Sequence, residues 1–405
     1  MTERDAVRAE GAEGLDAFRA EIRAWLVANC PPSMRTPMKE DDEVWGGRRP
    51  IFDHPDQKVW LDRMASRGFT APTWPSAYGG GGLSNEEARV LAEEMRALGC
   101  RRPLKSFGVW MLGPVLLEFA SEEQKKEYIP PIVRGEIRWC QGYSEPGAGS
   151  DLASLAARAV VDGDDFVVNG HKIWTSHADK SDWMFCLVRT NPDAPKHEGV
   201  SFLLIDMATP GITARPIRLI SGSSPFCETF FDEVRVPRKN LVGHPGQGWT
   251  IAKRLLQHER ALISEMRDAF PDEETLESVA RRMIGPPSGP IGDASLRDRI
   301  VQANMDFYCN KITLRRSAEN AKAGRGPGPE SSMFKLYGTE LNKRRRELMV
   351  DILGYQGLGW EGDEFASADL ARTRAWLRSR ANSIEGGTSE IQLNIIAKRV
   401  LGLPD

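Results

Sequence analysis

The chain of 405 residues lacks any long hydrophobic run, and one of its longest, residues 109–117, is interrupted by Gly113 and Pro114. Because a helix that crosses a bilayer needs about 20 predominantly apolar residues, no membrane-spanning segment is predicted. Residues 1–14 are polar and acidic and lack the apolar core of a secretory signal. We therefore expect a cytoplasmic protein.

An excess of charge of one sign is also missing. The sequence has 54 Lys and Arg against 57 Asp and Glu, which leaves a net charge of −3. Nucleic-acid-binding and membrane-surface proteins usually carry a cationic excess, so the balance argues against both classes. A chain of this length buries enough apolar surface to fold without disulfides or structural metals.

Cysteine and histidine are scarce, with six of each. The cysteines lie far apart along the chain, and the histidines form neither a His-Glu-x-x-His motif nor a closely spaced pair. Zinc sites typically show such closely spaced ligands. We therefore expect no metal site, and we expect reduced thiols that pack as small hydrophobic groups.

Hydrophobic periodicity divides the chain into three segments, with helix spacing at both ends and a period of two in the middle. The predicted fold is an α+β multidomain protein: an N-terminal helical domain (1–136), a middle antiparallel β-barrel or sandwich (137–243) and a C-terminal four-helix bundle (244–405). Strands are expected at 157–161, 166–168, 183–188, 200–205, 212–217 and 229–236. The bundle helices are expected at about 248–268, 294–323, 332–353 and 366–381.

Four consecutive glycines, 79–82, follow Tyr78. The run lacks the Gly-Lys-Ser/Thr ending of a phosphate-binding loop. We therefore favour a plain turn between helices, with unusual backbone angles that glycine permits.

A second glycine-rich segment, Tyr143-Ser144-Glu145-Pro146-Gly147-Ala148-Gly149-Ser150-Asp151, lies at the border between helix and strand patterns. Its glycines permit a ligand to approach the backbone closely, and its serine hydroxyls can form hydrogen bonds with that ligand. The residues alone leave two interpretations open, a ligand-binding loop and an ordinary turn.

Two further segments carry chemistry. In Gly170-His171-Lys172-Ile173-Trp174-Thr175-Ser176, a Trp beside two hydroxyls is suited to stack on an aromatic cofactor, although the residues alone favour a core Trp. In Glu385-Gly386-Gly387-Thr388-Ser389-Glu390-Ile391-Gln392, a glycine pair leads into a helical run. Its free amides are suited to bind phosphate, and a simple helix cap is the alternative.

Together and in this order, the three motifs resemble those of the acyl-CoA dehydrogenase family, whose members are FAD enzymes. The combination of Glu-Pro-Gly-Ala-Gly-Ser-Asp, Gly-x-Lys-x-Trp and Gly-Thr-Ser-Glu-Ile-Gln is highly specific. The resemblance covers nearly the whole chain, including the α, β, α order of its segments.

The resemblance implies roles for individual residues. Ser144 would bond the flavin ring and Tyr143 would contribute its backbone, while Trp174 would pack on the flavin. Ser176 falls at the position of the hydroxyl that contacts the reactive edge of the flavin, and Ser150 at a position that contacts the CoA chain. Gly149, Thr175, Thr388 and Glu390 are also assigned to FAD, the last two near the pyrophosphate.

One departure from the family pattern concerns the catalytic base. Many members carry a glutamate immediately before Gly-Thr in the last motif, where this chain has Gly386 preceded by Glu385. A one-residue slip in a tight loop redirects a side chain, so we do not assume that Glu385 substitutes. The other position of the base in this family is on the first helix of the C-terminal domain, and residues 255–262 resemble members that use it.

Helix geometry points to Glu259 on that helix. At about 100° per residue, Glu259 falls inside the apolar stripe, whereas Arg260 points nearly to the opposite side. Burial of a carboxylate costs free energy and raises its pKa, as a general base requires. We predict Glu259 as the base, with a structural ion pair at Glu259, a role for Glu385 or no competent base as alternatives. Arg260 is assigned, with Ser150, to substrate binding. The stripe comprises Ile251, Leu255, Leu262 and Met266.

The implied reaction removes two hydrogens from an acyl-CoA thioester. Glu259 would take the α-proton while FAD accepts the β-hydride, which yields the trans-2-enoyl-CoA. The backbone amide of Gly386 and a ribityl hydroxyl would polarise the thioester carbonyl, and electrons would pass to an electron-transfer flavoprotein. Members with the base on this helix act on branched, long-chain or polycyclic acyl groups, and we expect one of these.

A second departure concerns the subunit interface. Many relatives carry an Arg-x-x-Phe-Gly segment whose Arg reaches the FAD of a neighbouring subunit. Here the region reads Arg281-Arg282-Met283-Ile284-Gly285 and continues into prolines. We assign Arg281 to FAD, with Arg282 as the alternative, and expect a homodimer or homotetramer, or a heteromer of unlike chains.

Two other functions stay open at this point. A flavin monooxygenase or oxidase of the same fold would act on a substrate without CoA, but the position of Glu259 argues against it. A non-catalytic subunit of a heteromeric acyl-CoA dehydrogenase is favoured by Gly386.

Overall fold

The computed structural model describes residues 3–37, 42–256, 274–285, 289–322 and 331–404. The amino-terminal part of the chain is helical, as the periodicity predicted. At one helix start, the Ser84 hydroxyl accepts from the Glu87 N–H and the Glu87 carboxylate accepts from the Ser84 N–H, a capping box that satisfies free amides. The helices are α1 (Glu3–Asn29), α2 (Pro55–Ser66), α3 (Asn85–Ala97), α4 (Gly113–Phe119) and α5 (Glu122–Val133).

The run of four glycines lies in the connection between α2 and α3, as predicted. Gly79 and Gly82 have φ angles of 87° and 64°, in the left-handed region that glycine adopts without strain. A Cβ on Gly80 would lie 2.4 Å from the carbonyl oxygen of Trp74. The glycines therefore serve turn geometry and close backbone packing.

The middle part of the chain forms one eight-stranded sheet. A two-residue turn joins its second and third strands, because Asp162 pairs with Asp165 and Gly163 has a φ of 61°. This is the predicted hairpin. The strands are β1 (Trp139–Gly142), β2 (Arg158–Asp162), β3 (Asp165–Ser176), β4 (Trp183–Arg189), β5 (Val200–Asp206), β6 (Ile212–Ile217), β7 (Phe226–Pro237) and β8 (Leu241–Val242).

The strands follow the order β6-β7-β3-β2-β4-β5-β8, and β1 pairs with β4. Most neighbours are antiparallel, as expected, but β1 and β2 run parallel to β4. The pattern of alternating residues did not predict β1 or β8, which contain only four and two residues. Pairing direction is not visible in that pattern, because side chains alternate in parallel and antiparallel strands alike.

The carboxy-terminal part is helical again, as predicted. Helix α9 packs against α7, α8, α10 and α11, and the core that it shares with α7 and α8 includes Val279, Ile300 and Ile352. Among the described residues, none of the helices combines the length and the apolar character needed to cross a membrane. The helices are α6 (described for 248–256), α7 (Leu276–Ile284), α8 (Ala294–Lys322), α9 (Ser331–Leu353), α10 (Ser367–Ser379) and α11 (Ser389–Ile395).

The chain divides into two compact units, Met1–Pro216 with Phe226–Ala269 and Ile217–Pro225 with Phe270–Asp405. In the first unit, Ile129 of α5, Trp139 of β1 and Leu255 of α6 belong to one hydrophobic core. The helical and β segments therefore share a core. The domain boundaries at 136/137 and 243/244 stay predictions from the sequence.

A buried ion-pair network ties α7 to α10 in the second unit. The Asp369 side chain is only 2% exposed, accepts from Arg282 at 2.8 and 3.1 Å, and accepts from Arg372 at 2.5 Å. Glu274 accepts from Arg372 at 2.6 Å. The hydrogen bonds from Arg282 and then Arg372 hold the pKa of the Asp369 carboxyl below its ordinary value.

We expect Asp369→Asn to lower the free energy of unfolding at neutral pH by about 2–3 kcal/mol, because two guanidinium groups lose their buried anion. Since the pKa of Asp369 is depressed in the folded state, its stabilisation is present above the unfolded pKa and is lost as the pH falls through the folded pKa. The difference between the two proteins should therefore disappear at acidic pH. Denaturant unfolding of the wild type and Asp369→Asn at pH 7 and in acid measures this difference in the free energy of unfolding. Asp363→Asn, at an exposed position, is the control. Equal stability at pH 7 would contradict the network.

Candidate active site

The two motifs predicted to contact the flavin meet at one end of the sheet. The loop 143–151 follows β1, and the Ile173 N–H of β3 donates to the Ser144 carbonyl at 2.9 Å. Within the loop, Glu145 and Ala148 exchange backbone hydrogen bonds of 3.1 and 3.0 Å, so Pro146 and Gly147 form a tight turn. The sequence had left a ligand loop and an ordinary turn open, and the segment is a turn that is fastened to β3.

A buried ion pair also connects the loop 143–151 with β3. The Lys172 side chain has no exposure, and its Nζ donates to the Glu145 carboxylate at 2.7 Å and to the Tyr143 carbonyl at 3.0 Å. The Glu145 carboxylate also accepts from the backbone N–H groups of Ala156 and Ala157 at 2.6 and 2.9 Å. The charges of the two partners therefore balance, and each partner also has backbone hydrogen bonds, which makes burial tolerable.

The end of β3 departs from regular strand geometry at Trp174, and the indole ring is exposed to solvent there. Trp174 has a φ of 60°, uncommon for a non-glycine residue, and it lies where the pairing with β7 shifts between Lys172 and Thr175. Its side chain is 52% exposed and touches Phe226 edge-on, with ring centroids 6.2 Å apart. Trp174 is therefore not a core residue, which was the alternative interpretation.

The two hydroxyls after Trp174 differ in their surroundings. Thr175 is completely buried and its Oγ1 has no hydrogen-bond partner among the described residues, whereas Ser176 is half-buried. Buried polar atoms are usually paired, so an unpaired one often marks a ligand or a bound water. Tyr143, the remaining aromatic residue of the predicted set, is buried against Phe185, with ring centroids 6.1 Å apart.

The end of the loop that carries Gly149, assigned to FAD, and Ser150, assigned to the CoA chain, is accessible. Gly149 and Ser150 are exposed, and a Cβ on Gly149 would touch nothing within 4 Å. Asp151 is paired with Lys196 at 2.9 Å and with the Ser154 hydroxyl. The hydrogen bond from Ser154, followed by that from Lys196, lowers the pKa of the Asp151 carboxyl. This end of the loop is open to solvent on the described chain.

In the second unit, the last motif forms a cap. Gly386 and Gly387 have φ angles of 64° and 89°, and the Thr388 hydroxyl accepts from the Ile391 N–H at 3.3 Å at the start of α11. Gln392 donates to the carbonyls of Gly386 and Gly387, both at 3.3 Å. Thr388 therefore forms the N-terminal cap of α11. Glu390 is exposed.

Glu385 is engaged elsewhere. Its carboxylate accepts from Arg378 at 2.7 Å and from the Asn382 amide at 2.6 Å. These contacts tie the carboxylate to the end of α10 and to the turn that follows it. The role of Glu385 stays a prediction.

The predicted base Glu259 and its neighbour Arg260 lie outside the described residues. The described part of α6 includes Ile251 and Leu255, both fully buried, as expected for two residues of one apolar stripe. The assignment of Glu259 stays a prediction.

The two arginines of α7 have different environments. Arg282 belongs to the Asp369 network, whereas the Arg281 guanidinium donates to the Gly289 carbonyl, and both side chains are exposed. The assignment of Arg281 to FAD stays a prediction.

Comparisons with known proteins agree on one family. Models of the N-terminal, middle and C-terminal domains of acyl-CoA dehydrogenase match residues 13–136, 140–234 and 246–401. The acyl-CoA dehydrogenase IpdE1 of Mycobacterium tuberculosis is 35% identical over 394 residues, which cover 97% of this chain and 98% of that protein. The chain belongs to the acyl-CoA dehydrogenase family. The predicted family, fold class and enzyme class are therefore confirmed: it is an FAD-dependent oxidoreductase that acts on CH–CH groups.

Solved structures of acyl-CoA dehydrogenases share the fold. The Tcur3481-Tcur3483 steroid ACAD has a TM-score of 0.74 at 30% identity, and the match covers 97% of this chain and 98% of that one. The ChsE4-ChsE5 complex from Mycobacterium tuberculosis gives 0.70 at 27% identity with the same coverage.

The described residues fit the FAD of acyl-CoA dehydrogenases. The buried Thr175 hydroxyl lies beside the exposed Trp174 and has no hydrogen-bond partner among the described residues. A Cβ on Gly147 would, as on Gly149, meet open space. In the first unit, these features provide an aromatic face, a polar atom available for a hydrogen bond and close backbone access.

Sequence reasoning did not assign Glu145, Lys172 or His177 to the site. A signal was available for Lys172, because alternation along the strand places it on the same face as Phe166 and Val168, which are buried. Its partner Glu145 lies in a loop, and loop contacts are not visible in periodicity.

We expect Lys172→Met to lower the free energy of unfolding by about 3–5 kcal/mol, because it leaves the buried Glu145 carboxylate unpaired. Lys172→Met combined with Glu145→Gln should recover part of that loss. Chemical denaturation measures both, and Lys180→Met, at an exposed position nearby, is the matched control. Wild-type stability in Lys172→Met would show that the pair is not required.

Proposed function

We propose that the chain catalyses α,β-dehydrogenation of an acyl-CoA thioester to the trans-2-enoyl-CoA and passes the electrons to an electron-transfer flavoprotein. The observation that carries the proposal is Trp174, a half-exposed aromatic residue with a φ of 60° beside a buried hydroxyl that has no partner among the described residues. Such backbone strain clusters at sites where a ligand is bound. FAD, when bound, supplies the hydride acceptor.

The residues of the chain have distinct roles in this proposal. Glu259 removes the α-proton of the substrate, and the Gly386 N–H donates to the thioester carbonyl, which stabilises charge as the proton leaves. Ser144, Trp174 and Ser176 hold and orient the flavin. The ion pair of Lys172 and Glu145 holds the loop that carries Ser144 against β3, the strand that carries Trp174 and Ser176.

The proposed base depends on a contrast between two glutamates. Glu385 is held by Arg378 and Asn382, whereas helical spacing in the sequence predicts Glu259 on the same face as Ile251 and Leu255, which are buried. A carboxylate on a buried face is suited to proton transfer, because burial raises the pKa of a carboxyl group.

For the substrate, we propose a bulky branched, long-chain or ring-bearing acyl group. Support comes from the placement of Glu259, which among family members accompanies such acyl groups, and from the solved structure that is titled a steroid ACAD.

We propose that the chain assembles into a homodimer or homotetramer. Support comes from an open groove of about 630 Å³ between α8 and α9, which includes Met333, Phe334 and Tyr337, and from the exposed Tyr308 on α8, 64% exposed. Apolar surface of this kind often marks a protein interface.

A non-catalytic role in a heteromer is the second candidate. Gly386 in place of a glutamate favours it, and so do solved relatives whose titles name two components, such as the ChsE4-ChsE5 complex. In that case the partner chain would supply the base.

Anaerobic mixing of the purified flavoprotein with a panel of acyl-CoAs tests the activity. We expect bleaching of the flavin absorption band with at least one bulky acyl-CoA, because hydride transfer reduces the flavin. Reoxidation by electron-transfer flavoprotein tests the electron acceptor. No bleaching with any member of the panel, in a protein that contains FAD, would exclude dehydrogenation by the chain alone and would favour the heteromer.

The base is tested by Glu259→Gln, which we expect to lower turnover by about 10²–10⁴-fold with FAD still bound, because general base catalysis is lost. Glu385→Gln is the matched control and should retain activity. Turnover and the flavin spectrum are measured for both. The opposite result, with activity lost in Glu385→Gln and kept in Glu259→Gln, would transfer the role to Glu385.

A further inference from the structure

Backbone strain in the first unit is concentrated around one dipeptide. Among the described residues, three non-glycine residues have a positive φ: Trp174 at 60°, His177 at 52° and Glu233 at 49°. Trp174 and His177 bracket Thr175 and Ser176. A conformation of this kind persists only where its surroundings hold it, so the contacts of both bracketing residues hold the backbone that carries Ser176.

The His177 ring contacts a distant part of the sequence, whereas its backbone carbonyl contacts neighbouring residues. The imidazole packs edge-on against the indole of Trp45, with ring centroids 4.9 Å apart and an interplanar angle of 60°. The His177 carbonyl accepts from the Lys180 N–H at 3.0 Å and from the Ser181 hydroxyl at 2.8 Å. The backbone bonds form a turn, and Trp45 fixes the side chain.

Trp45 is itself held on several sides. The Lys105 ammonium lies 4.8 Å and the Arg138 guanidinium 4.6 Å from the centre of the indole ring. The Phe107 ring meets the indole edge-on at 5.5 Å. Cation–π and edge-to-face contacts have preferred geometries. Trp45 therefore has little freedom to reorient.

The imidazole of His177 is uncharged at neutral pH. Burial, followed by the positive charges of Arg138 and Lys180, lowers the pKa of His177 to about 4, with Lys105 acting in the same direction and Asp179 opposing it. A protonated ring would add a positive charge beside these cations. The neutral ring packs against Trp45 as an ordinary aromatic group.

We propose that Trp45 is a positioning residue for the flavin, which acts through His177 to hold the strained turn at 174–177 and to direct the Ser176 hydroxyl toward the reactive edge of FAD. This inference rests on the proposed function, since it requires that FAD binds against Trp174 and Ser176. Neither Trp45 nor His177 is a catalytic residue in it.

The test is FAD binding and the midpoint potential of the bound flavin in Trp45→Leu. Loss of one oriented hydrogen bond should raise the dissociation constant of FAD by about three- to tenfold, and the midpoint potential should shift because the hydroxyl no longer faces the reactive edge. Binding is followed by flavin fluorescence on titration of apoprotein, and the potential by spectroelectrochemistry. Trp45→Phe, which keeps an aromatic face, should recover most of both properties.

His177→Asn separates the ring from the backbone, because Asn tolerates the left-handed region but has no aromatic ring. We expect it to match Trp45→Leu, and we expect the double variant to be no worse than either, since both changes break one chain of contacts. Additive effects, or wild-type behaviour of His177→Asn, would overturn the proposal.

Trp25→Leu is the matched control. Trp25 is also half-buried, meets Phe69 edge-on at 5.4 Å and lies under Arg67 at 5.5 Å, within a separate core cluster. The Trp25→Leu variant should have lower thermal stability but unchanged FAD affinity and an unchanged midpoint potential of the flavin. If the wild type fails to bind FAD, the proposed function fails; if the wild type binds FAD and Trp45→Leu is unchanged, only the positioning role fails.

Discussion

The ammonium group of Lys172 lies inside the sheet with no exposure to solvent, and the Glu145 carboxylate balances its charge at 2.7 Å. A lone buried charge is costly, so each partner requires the other. Lys172 belongs to β3 and Glu145 to the loop after β1, and a slip of β3 by one residue would turn Lys172 to the opposite face. The ion pair therefore opposes a slip of the strand and ties the loop to it, and Ser144 and Trp174 lie on these two segments.

Much of the fold could be predicted, because it depends on periodicity and local turn chemistry. The ends of β4, β5 and β6 fall within one residue of the expected positions, and the C-terminal helices α8 to α10 agree to within two. Contacts between distant residues could not be predicted. Cys30 and Cys100 illustrate this: their thiols form a hydrogen bond, which, more than any other contact, lowers the pKa of Cys30 to about 7, although nothing in their spacing pairs them.

In the candidate site, too, local motifs could be predicted from the sequence and contacts between distant residues could not. Its motifs were recognisable because they are contiguous and carry unusual residue types, and the structure brings two of them together through Ile173 and Ser144. The contacts that hold them come from Glu145 and Trp45, whose partners are far away in the sequence. The site residues stay predictions, and Glu259, on which the chemistry depends, lies outside the described residues.

The core shared by the helical and β segments has a consequence for synthesis of the chain. Ile129, Trp139 and Leu255 contribute to the same core, so the apolar faces of α5 and β1 have no complete partner until α6 has been made. A domain generally folds as a unit once its sequence is available. The nascent chain must therefore keep these surfaces from aggregating while more than a hundred further residues are translated, and a ribosome that pauses before α6 would leave them exposed to chaperones and proteases.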